Sequence, residues 1–274
     1  MGKIILLNTP IGNLGDLTGR VREALEKGEV FAAEDTRVFK ELLNHLGISL
    51  QGKRVFSLHD QSEPGQVEKL LDQAEREDLY VASEAGSPIV SDPAYPLVAG
   101  AYKRGLKVES YSGVSSPIMA LELSGLPPIP FHFHGFLPRE KGKKMKAFQD
   151  TGVGTHIFFE APPRVEDTLD NLAEFDPELQ VVIVRELSKK FEQVLRFKSG
   201  DWAQVKGEVN FKGEFVIMFH RPEVKTLHGV ELRIIAEEIM SAGATPKQVS
   251  KLLALILDRS SKDIYTELNK LRGS

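Results

Sequence analysis

Five times between residues 3 and 124 a short β-branched or apolar run is followed by a stretch of helical spacing. This order constrains the fold more than any other feature, because it is the signature of an α/β domain with a largely parallel sheet. The runs predict strands at 3–8, 29–34, 53–58, 79–84 and 107–111, and helices at 18–27, 36–46, 64–77, 93–104 and 115–124. Gly28, Gly47, Gly105 and Gly125 close four of the helices and Pro64 opens the third, the proline-early, glycine-late asymmetry of helices.

A proline- and aromatic-rich stretch, Ser124 to Pro138, then breaks the rhythm and reads as a domain boundary. It runs into Arg139, Lys141, Lys143, Lys144 and Lys146, a solvated helix face or a contact to phosphate. His132 and His134 share one face if this stretch is extended, but no third ligand is visible, so no metal site is expected. Strands follow near 155–160, 180–185, 193–198 and 213–220, with helices near 163–174 and 200–206, which predicts a second α/β domain with a mixed sheet. After Arg221-Pro222 the spacing is purely helical: Leu232, Ile235, Ala236 and Ile239, then Val249, Leu252, Leu253 and Ile256, then Ile264, Leu268 and Leu271. Thr245-Pro246 opens the middle helix, and Asp258 to Ser261 separates it from the last. This reads as a helical tail, with a helix-turn-helix as the alternative. The expected division is 1–125, 126–222 and 223–274.

Composition narrows the class. At 274 residues, with 41% hydrophobic and 27% charged residues, the chain can bury a core without staples, and disordered and fibrous classes drop out. Thirty-five basic against 39 acidic residues give a net charge of −4, so attraction to a polyanion has to be local. The absence of cysteine removes disulfides, thiolate metal sites and cysteine nucleophiles. Ile4 to Leu7 is too short an apolar run for a signal segment or membrane span, and a soluble cytoplasmic protein is expected.

In a doubly wound sheet, the loops after the strands' carboxyl ends form the ligand crevice. The loop Thr9 to Thr18 contains glycines and opens a helix, but lacks the full G-x-G-x-x-G spacing. Glu34-Asp35 stands about 20 residues beyond it, where a Rossmann domain places its ribose-binding carboxylate; Asp35-Thr36 equally makes an N-cap. Arg37 beside it suits an anionic partner. The loops Ser83 to Pro93 and Ser112 to Pro117 are rich in small residues and serines. Two such loops after neighbouring strands predict a convergent pocket.

These blocks carry a family resemblance. Residues 9–18 (TPIGNLGDLT), 32–37 (AAEDTR), 57–60 (SLHD), 83–93 (SEAGSPIVSDP), 124–127 (SGLP) and 135–138 (GFLP) resemble the ribosomal small subunit methyltransferase I family. So do 158–164 (FFEAPPR), 185–189 (RELSK) and 212–216 (KGEFV). The family belongs to the tetrapyrrole methylase superfamily, and the match runs in order from residue 4 to about 220. It implies two α/β domains with S-adenosylmethionine in the cleft between them, a homodimer, and 2′-O-ribose methylation of a cytidine of 16S rRNA in the small ribosomal subunit. Its ligand loops map onto Pro10, onto Glu84, Ala85, Gly86 and Ser87, and onto Ser112, Gly113, Ser115 and Ser116. In the second domain they map onto Phe159, Glu160 and Ala161, and onto Lys212, Gly213 and Glu214. Glu84 stands where the family more often has Asp, Ala94 where it has Gly, and Ser112-Gly-Val-Ser where it has Pro-Gly-Pro.

Methyl transfer to a ribose hydroxyl needs alignment, a proton acceptor and a cation for developing charge. The resemblance brings Glu34, Asp35, Arg37, His59, Asp60, Arg185, Glu186 and Lys189 towards the cleft. The catalytic candidates are Asp35, Arg37, Lys189 and Glu186, with Lys189 or a carboxylate as base and Arg37 or Arg185 on the phosphate or oxyanion. An ion-pair network linking the two domains is the alternative role. Two other functions stay open: methylation of a corrin or porphyrin precursor, and a non-catalytic ribosome-associated nucleotide-binding protein.

Overall fold

The structure is a computed structural model that describes residues 2–59, 64–223, 229–257 and 260–272. The chain forms two compact units, 1–222 and 223–274. Asp60 and the Asp258-Arg259 break lie outside the described residues.

The first sheet alternates with helices as the spacing predicts. In order come β1 (Lys3–Leu7), α1 (Gly19–Lys27), β2 (Val30–Ala33), α2 (Thr36–His45), β3 (Arg54–Ser57), α3 (Pro64–Arg76), β4 (Leu79–Ala82), α4 (Tyr95–Lys103), β5 (Lys107–Tyr111) and α5 (Ser116–Ser124). All pairings are parallel, in the order β3-β2-β4-β1-β5. The crossovers run one way from β1 to β3 and back from β3 to β5, so right-handed connections place the helices on both faces. The cores show it: Ile5, Leu7 and Phe31 pack with Val21, Leu25, Phe39 and Leu43 of α1 and α2. Ile4, Leu6 and Val81 pack with Leu70, Leu71, Leu97 and Ala101 of α3 and α4. Alternate residues of one strand therefore serve opposite cores.

The fifth helix leaves this sheet. Ala120 and Leu121 of α5 pack on Ile157, Val182, Val184, Val216 and Met218, which belong to the second sheet. Its elements are β6 (Phe131–Phe136), α6 (Lys141–Gln149), β7 (Gly154–Glu160), α7 (Val165–Phe175), β8 (Gln180–Arg185), β9 (Gln193–Lys198), α8 (Trp202–Val205) and β10 (Phe215–Arg221). The order is β6-β7-β10-β8-β9, antiparallel except for the β6–β7 pair. Its other face buries Phe158, Phe219, Ile183 and Trp202 against Phe148 of α6 and Leu169 and Leu172 of α7.

The stretch read as a boundary contains an edge strand, β6, and one expectation is corrected: the basic run that follows is not uniformly solvated. Lys144 is fully buried, donating to Asp167 Oδ2 at 2.7 Å and Thr168 Oγ1 at 2.8 Å. Lys141 and Lys143 pair with Glu174 and Glu140, while Arg139 and Lys146 stay exposed.

The second unit consists of α9 (Gly229–Ser241), α10 (Pro246–Leu257) and α11 (Ser261–Arg272) around Ala236, Val249, Leu253, Ile264 and Leu268. Thr245 and Gln248 form a reciprocal cap: Gln248 N–H donates to Thr245 Oγ1 at 3.4 Å, and Thr245 N–H to Gln248 Oε1 at 2.8 Å. Ile235 and Leu252, part of the apolar helical spacing, are exposed.

His132 and His134 meet a third histidine from β7. His132 stacks on His156 with ring centres 5.0 Å apart, and the His134 Nε2 and His156 Nδ1 atoms are 2.9 Å apart. Among the described residues, no group of three or more His, Cys, Asp or Glu is arranged to hold a metal ion. Burial pushes the His156 pKa down to about 4. Below an unfolded value of about 6.5, the unfolded chain therefore binds a proton that the native imidazole refuses. The stabilisation is complete above that value and is lost as pH falls towards 4. His156→Phe, which keeps a ring on Phe219, is expected to flatten the fall of Tm across this window. Thermal melts showing the same slope in both proteins would remove His156 as its cause.

Candidate active site

The carboxyl ends of the first sheet and the adjoining ends of β7, β8 and β10 enclose a cleft of about 500 Å³. That volume is ordinary for a small-molecule site. Its frame is set by backbone pairing. Ala33 of β2 and Ala82 of β4 are in register, so Glu34 and Asp35 leave the sheet beside Ser83 and Glu84. The β4 loop is then fastened to the β1 loop: Thr9 N–H donates to Gly86 O at 2.9 Å and Gly86 N–H to Thr9 O at 3.0 Å. Ser83 Oγ also donates to Gly86 O at 3.1 Å. Gly86 has φ +76°, and a Cβ there would stand 3.3 Å from Ile11 Cγ2, so glycine suits both the turn and the close approach.

Ten of the residues mapped to ligand loops line this cleft: Glu84, Ala85, Gly86 and Ser87; Ser115 and Ser116; Phe159, Glu160 and Ala161; and Glu214. The other five do not line it, and most of them support the loops that do. Pro10 is buried behind the β1 loop. Ser112 O accepts from Thr18 Oγ1 at 3.1 Å, and Gly113 is pressed against Asn8, with 2.6 Å between a built Cβ and Asn8 Cβ. Lys212 O accepts from Arg185 Nε at 2.5 Å. Gly213 (φ +95°) lies against the Glu186 carboxylate, which an added Cβ would overlap. The spacing of the sequence did not reveal Ile11, Phe136, Val184 and Leu187, which also line the cleft. The periodicity of their elements marks them as apolar but not which cavity they wall.

Glu160 is satisfied within the protein. Its Oε1 accepts from Ala161 N–H at 2.8 Å and pairs with Arg164 at 2.5 Å, while Oε2 accepts from Thr168 Oγ1 at 2.7 Å. Through Thr168 this carboxylate connects to buried Lys144. The network fixes one wall of the cleft.

The catalytic candidates form two groups. Asp35 caps α2, accepting from Arg37 N–H at 2.7 Å, Nε at 3.1 Å and Nη2 at 2.6 Å. These bonds hold its pKa at about 2. The Arg37 side chain is 84% exposed, so it can meet a further anion. In the other group, Lys189 Nζ lies 3.1 Å from Glu186 Oε1 and 3.0 Å from Glu214 Oε2. Glu186 Oε1 also accepts from Glu214 N–H at 3.0 Å. Burial pulls the Lys189 pKa down, but its bonds to Glu214 and Glu186 outweigh burial and leave it raised. For Glu186, burial acts upward, and the Glu214 N–H and Lys189 outweigh it, leaving the pKa lowered. Lys189 is thus a stable cation, not the base that its sequence position suggested. Its stem crosses Gly12, where an added Cβ would meet Cε at 2.7 Å, so it joins the β1 loop to the β8 loop. Arg185 is buried and bonded to the carbonyls of Lys212 and Phe191, a structural position away from the cleft lining. His59 is exposed beyond β3.

Two α/β sheets with a cleft beside the carboxyl ends of the first define a class. Residues 3–203 match the family Tetrapyrrole (Corrin/Porphyrin) Methylases. The fold is shared with diphthine synthase (TM-score 0.60, 18% identity, 86% of this chain and 95% of that one). It is also shared with uroporphyrin-III C-methyltransferase from Thermus thermophilus complexed with S-adenyl homocysteine (TM-score 0.52, 20% identity, 81% and 98%). Ribosomal RNA small subunit methyltransferase I of Halalkalibacterium halodurans is 34% identical over 273 residues, 96% of this chain and 93% of the relative. The protein of the same name from Streptococcus pyogenes serotype M3 is 34% identical over 277 residues, 98% and 96%. The chain belongs to the ribosomal RNA small subunit methyltransferase I family, within the tetrapyrrole methylases.

The packing of Gly213 against Glu186 is open to test. Gly213→Ala is expected to lower unfolding free energy by about 1–3 kcal/mol, through backbone strain and loss of the Glu186 bond. Gly207→Ala, in open space, should change it by less than about 0.5 kcal/mol. Equal urea midpoints for the two variants would show that the Gly213 contact is dispensable.

Proposed function

We propose that this protein transfers a methyl group from S-adenosylmethionine to a cytidine ribose 2′-hydroxyl of 16S rRNA in the small ribosomal subunit. The observation that carries the reading is the full-length similarity to ribosomal RNA small subunit methyltransferases I, joined to a cleft built from the loops where that family's ligand residues map. Relatives 34% identical over nearly the whole chain favour this substrate over a corrin or porphyrin, whose methylase shares only 20% identity.

The cleft suits the methyl donor, which supplies an electrophilic methyl group on a sulfonium and is consumed as a substrate. Small residues at Ala85, Gly86 and Ser87 expose backbone groups along one wall. Ser115 caps α5 without a side-chain hydrogen bond, which leaves the N–H groups of that turn available for the donor's carboxylate. Phe159, Ala161, Leu187 and Val216 give the opposite wall an apolar surface for an adenine ring. Arg37 on the rim holds RNA phosphate, and Lys189 stabilises negative charge; Asp35 and Glu186 position these two cations. The division at 125/126 gives one sheet to each domain.

Ribosomes place the substrate, and so the protein, in the cytoplasm. No helix among the described residues is long and apolar enough to cross a membrane. The protein acts as a homodimer: Ile129 (85% exposed) and Phe131 (40%) form an apolar edge at β6 that a second copy covers.

Purified protein with labelled donor should methylate small subunits from cells lacking it, and nuclease mapping should place the label on a cytidine ribose. Arg37→Ala and Lys189→Ala should each lose ~100-fold or more in rate with S-adenosylhomocysteine affinity retained. Unlabelled 16S rRNA in the wild-type reaction refutes the function; near-normal turnover in both variants refutes the roles. Light scattering at micromolar concentration should give twice the chain mass, and a monomer would overturn the dimer.

A further inference from the structure

None of the four side chains assigned above can take a proton from a ribose hydroxyl. Asp35 is held at about 2 and bonded three times by Arg37. Glu186 accepts from Lys189 and from the Glu214 N–H. Lys189 and Arg37 are cations whose proton affinities are raised. Methyl transfer to an alcohol still requires an ionised acceptor, open to the cleft and free of internal partners.

Two carboxylates lining the cleft have no internal partner, Glu34 and Glu84, and of the two Glu84 is the exposed one. Glu84 lines the cleft, its residue is exposed, and it enters no hydrogen bond or ion pair among the described residues. The other carboxylates that line the cleft differ: Glu34 is half-buried, Asp92 is engaged within the structure, Glu160 is held by Ala161, Arg164 and Thr168, and Glu214 pairs with Lys189. The backbone of Glu84 is fixed on both sides. The Ala33–Ala82 register ends one residue before Ser83, and the Thr9–Gly86 bonds close the turn two residues beyond Glu84. A free carboxylate on a rigid turn is preorganised for a substrate proton without reorganisation. The groups that face it are Glu34 from the end of β2, and Asp35 and Arg37 from the start of α2; Asp92 lies in its own loop. Desolvation raises its pKa most, followed by the charges of Glu34 and Asp35, with Arg37 opposing.

We propose that Glu84 is the base of the methyl transfer, a role that rests on the reading of this site as a ribose 2′-O-methyltransferase. The 2′ O–H bond breaks and its proton passes to the Glu84 carboxylate, giving the neutral acid. The oxygen forms its bond to the methyl carbon as the sulfur–carbon bond breaks, with that electron pair left on sulfur as a thioether. One positive and one negative charge disappear together, which favours the step in a partly desolvated cleft.

The test compares wild type, Glu84→Gln and Glu84→Asp in single-turnover methylation of unmethylated small subunits across pH. It adds S-adenosylhomocysteine calorimetry and a carbon NMR titration of the Glu84 carboxyl. Expected are a loss of ~100-fold or more in Glu84→Gln and retention within about tenfold in Glu84→Asp with the acid limb kept. Donor-product affinity should stay within about threefold in both variants, and the carboxyl should titrate above the ordinary 4.5. Three results would overturn the proposal: near wild-type rates in Glu84→Gln, a loss of S-adenosylhomocysteine affinity parallel to the loss of rate, or titration at or below 4.5. A wild-type protein that leaves small subunits unmethylated fails the underlying reading instead, which separates the two failures.

Discussion

Two backbone hydrogen bonds between Thr9 and Gly86 hold the cleft to its shape. β1 and β4 are neighbours in a parallel sheet, and their loops would ordinarily diverge into separate helices. The reciprocal Thr9–Gly86 pairing extends the sheet past its end by one antiparallel bridge. It brings Ile11 against Gly86 and aims the following residues across the cleft. Glycine suits that point, since φ is positive and a Cβ would crowd Ile11 Cγ2 at 3.3 Å. Ser83 seals the turn from within.

The second sheet supplies polar scaffolding rather than loops alone. Lys144, Thr168, Glu160 and Arg164 form a connected set beneath Ala161, and Arg185 ties the carbonyls of two other loops together. Buried charge is tolerated there because each member has a partner. Positive φ at Glu186 and Ser188 bends the β8 loop sharply, so that Lys189 returns to Glu186 and Glu214 while its stem crosses Gly12. Unusual backbone geometry of this kind concentrates where function demands a fixed side chain.

Much of this architecture was legible because its signals are local. Glycine and proline punctuation marked the five βα steps, and the helices begin and end within about two residues of that reading. The edge strand β6 was not legible: Pro127, Pro128 and Pro130 precede it, and His132-Phe133-His134 lacks the β-branched run of a central strand. The burial of Lys144 could not be read either, because its partners Asp167 and Thr168 lie more than 20 residues away in a helix that packs against α6. The same holds for the site. Ten of the residues in the family blocks line one cleft, whereas the distinction between walls such as Ala85 and supports such as Gly113 depends on neighbours contributed by other strands. Lys189 illustrates the limit of residue type: a lysine beside a presumed cofactor suggests a base, and two carboxylates at 3.0 and 3.1 Å make it a cation.

The central position of β1 has a consequence for how the protein is made. Leu7 pairs with Ala82 on one side and Tyr111 on the other, so β1 is flanked on both sides only once β5 has been made. At roughly 5–20 residues per second, translation takes on the order of 5–20 s to cover the ~100 residues between them. Through that interval Ile4, Ile5, Leu6 and Leu7, all buried in the finished protein, lack their β5 neighbour. The apolar run of β1 is therefore completed from both sides only late in synthesis, by segments far along the chain.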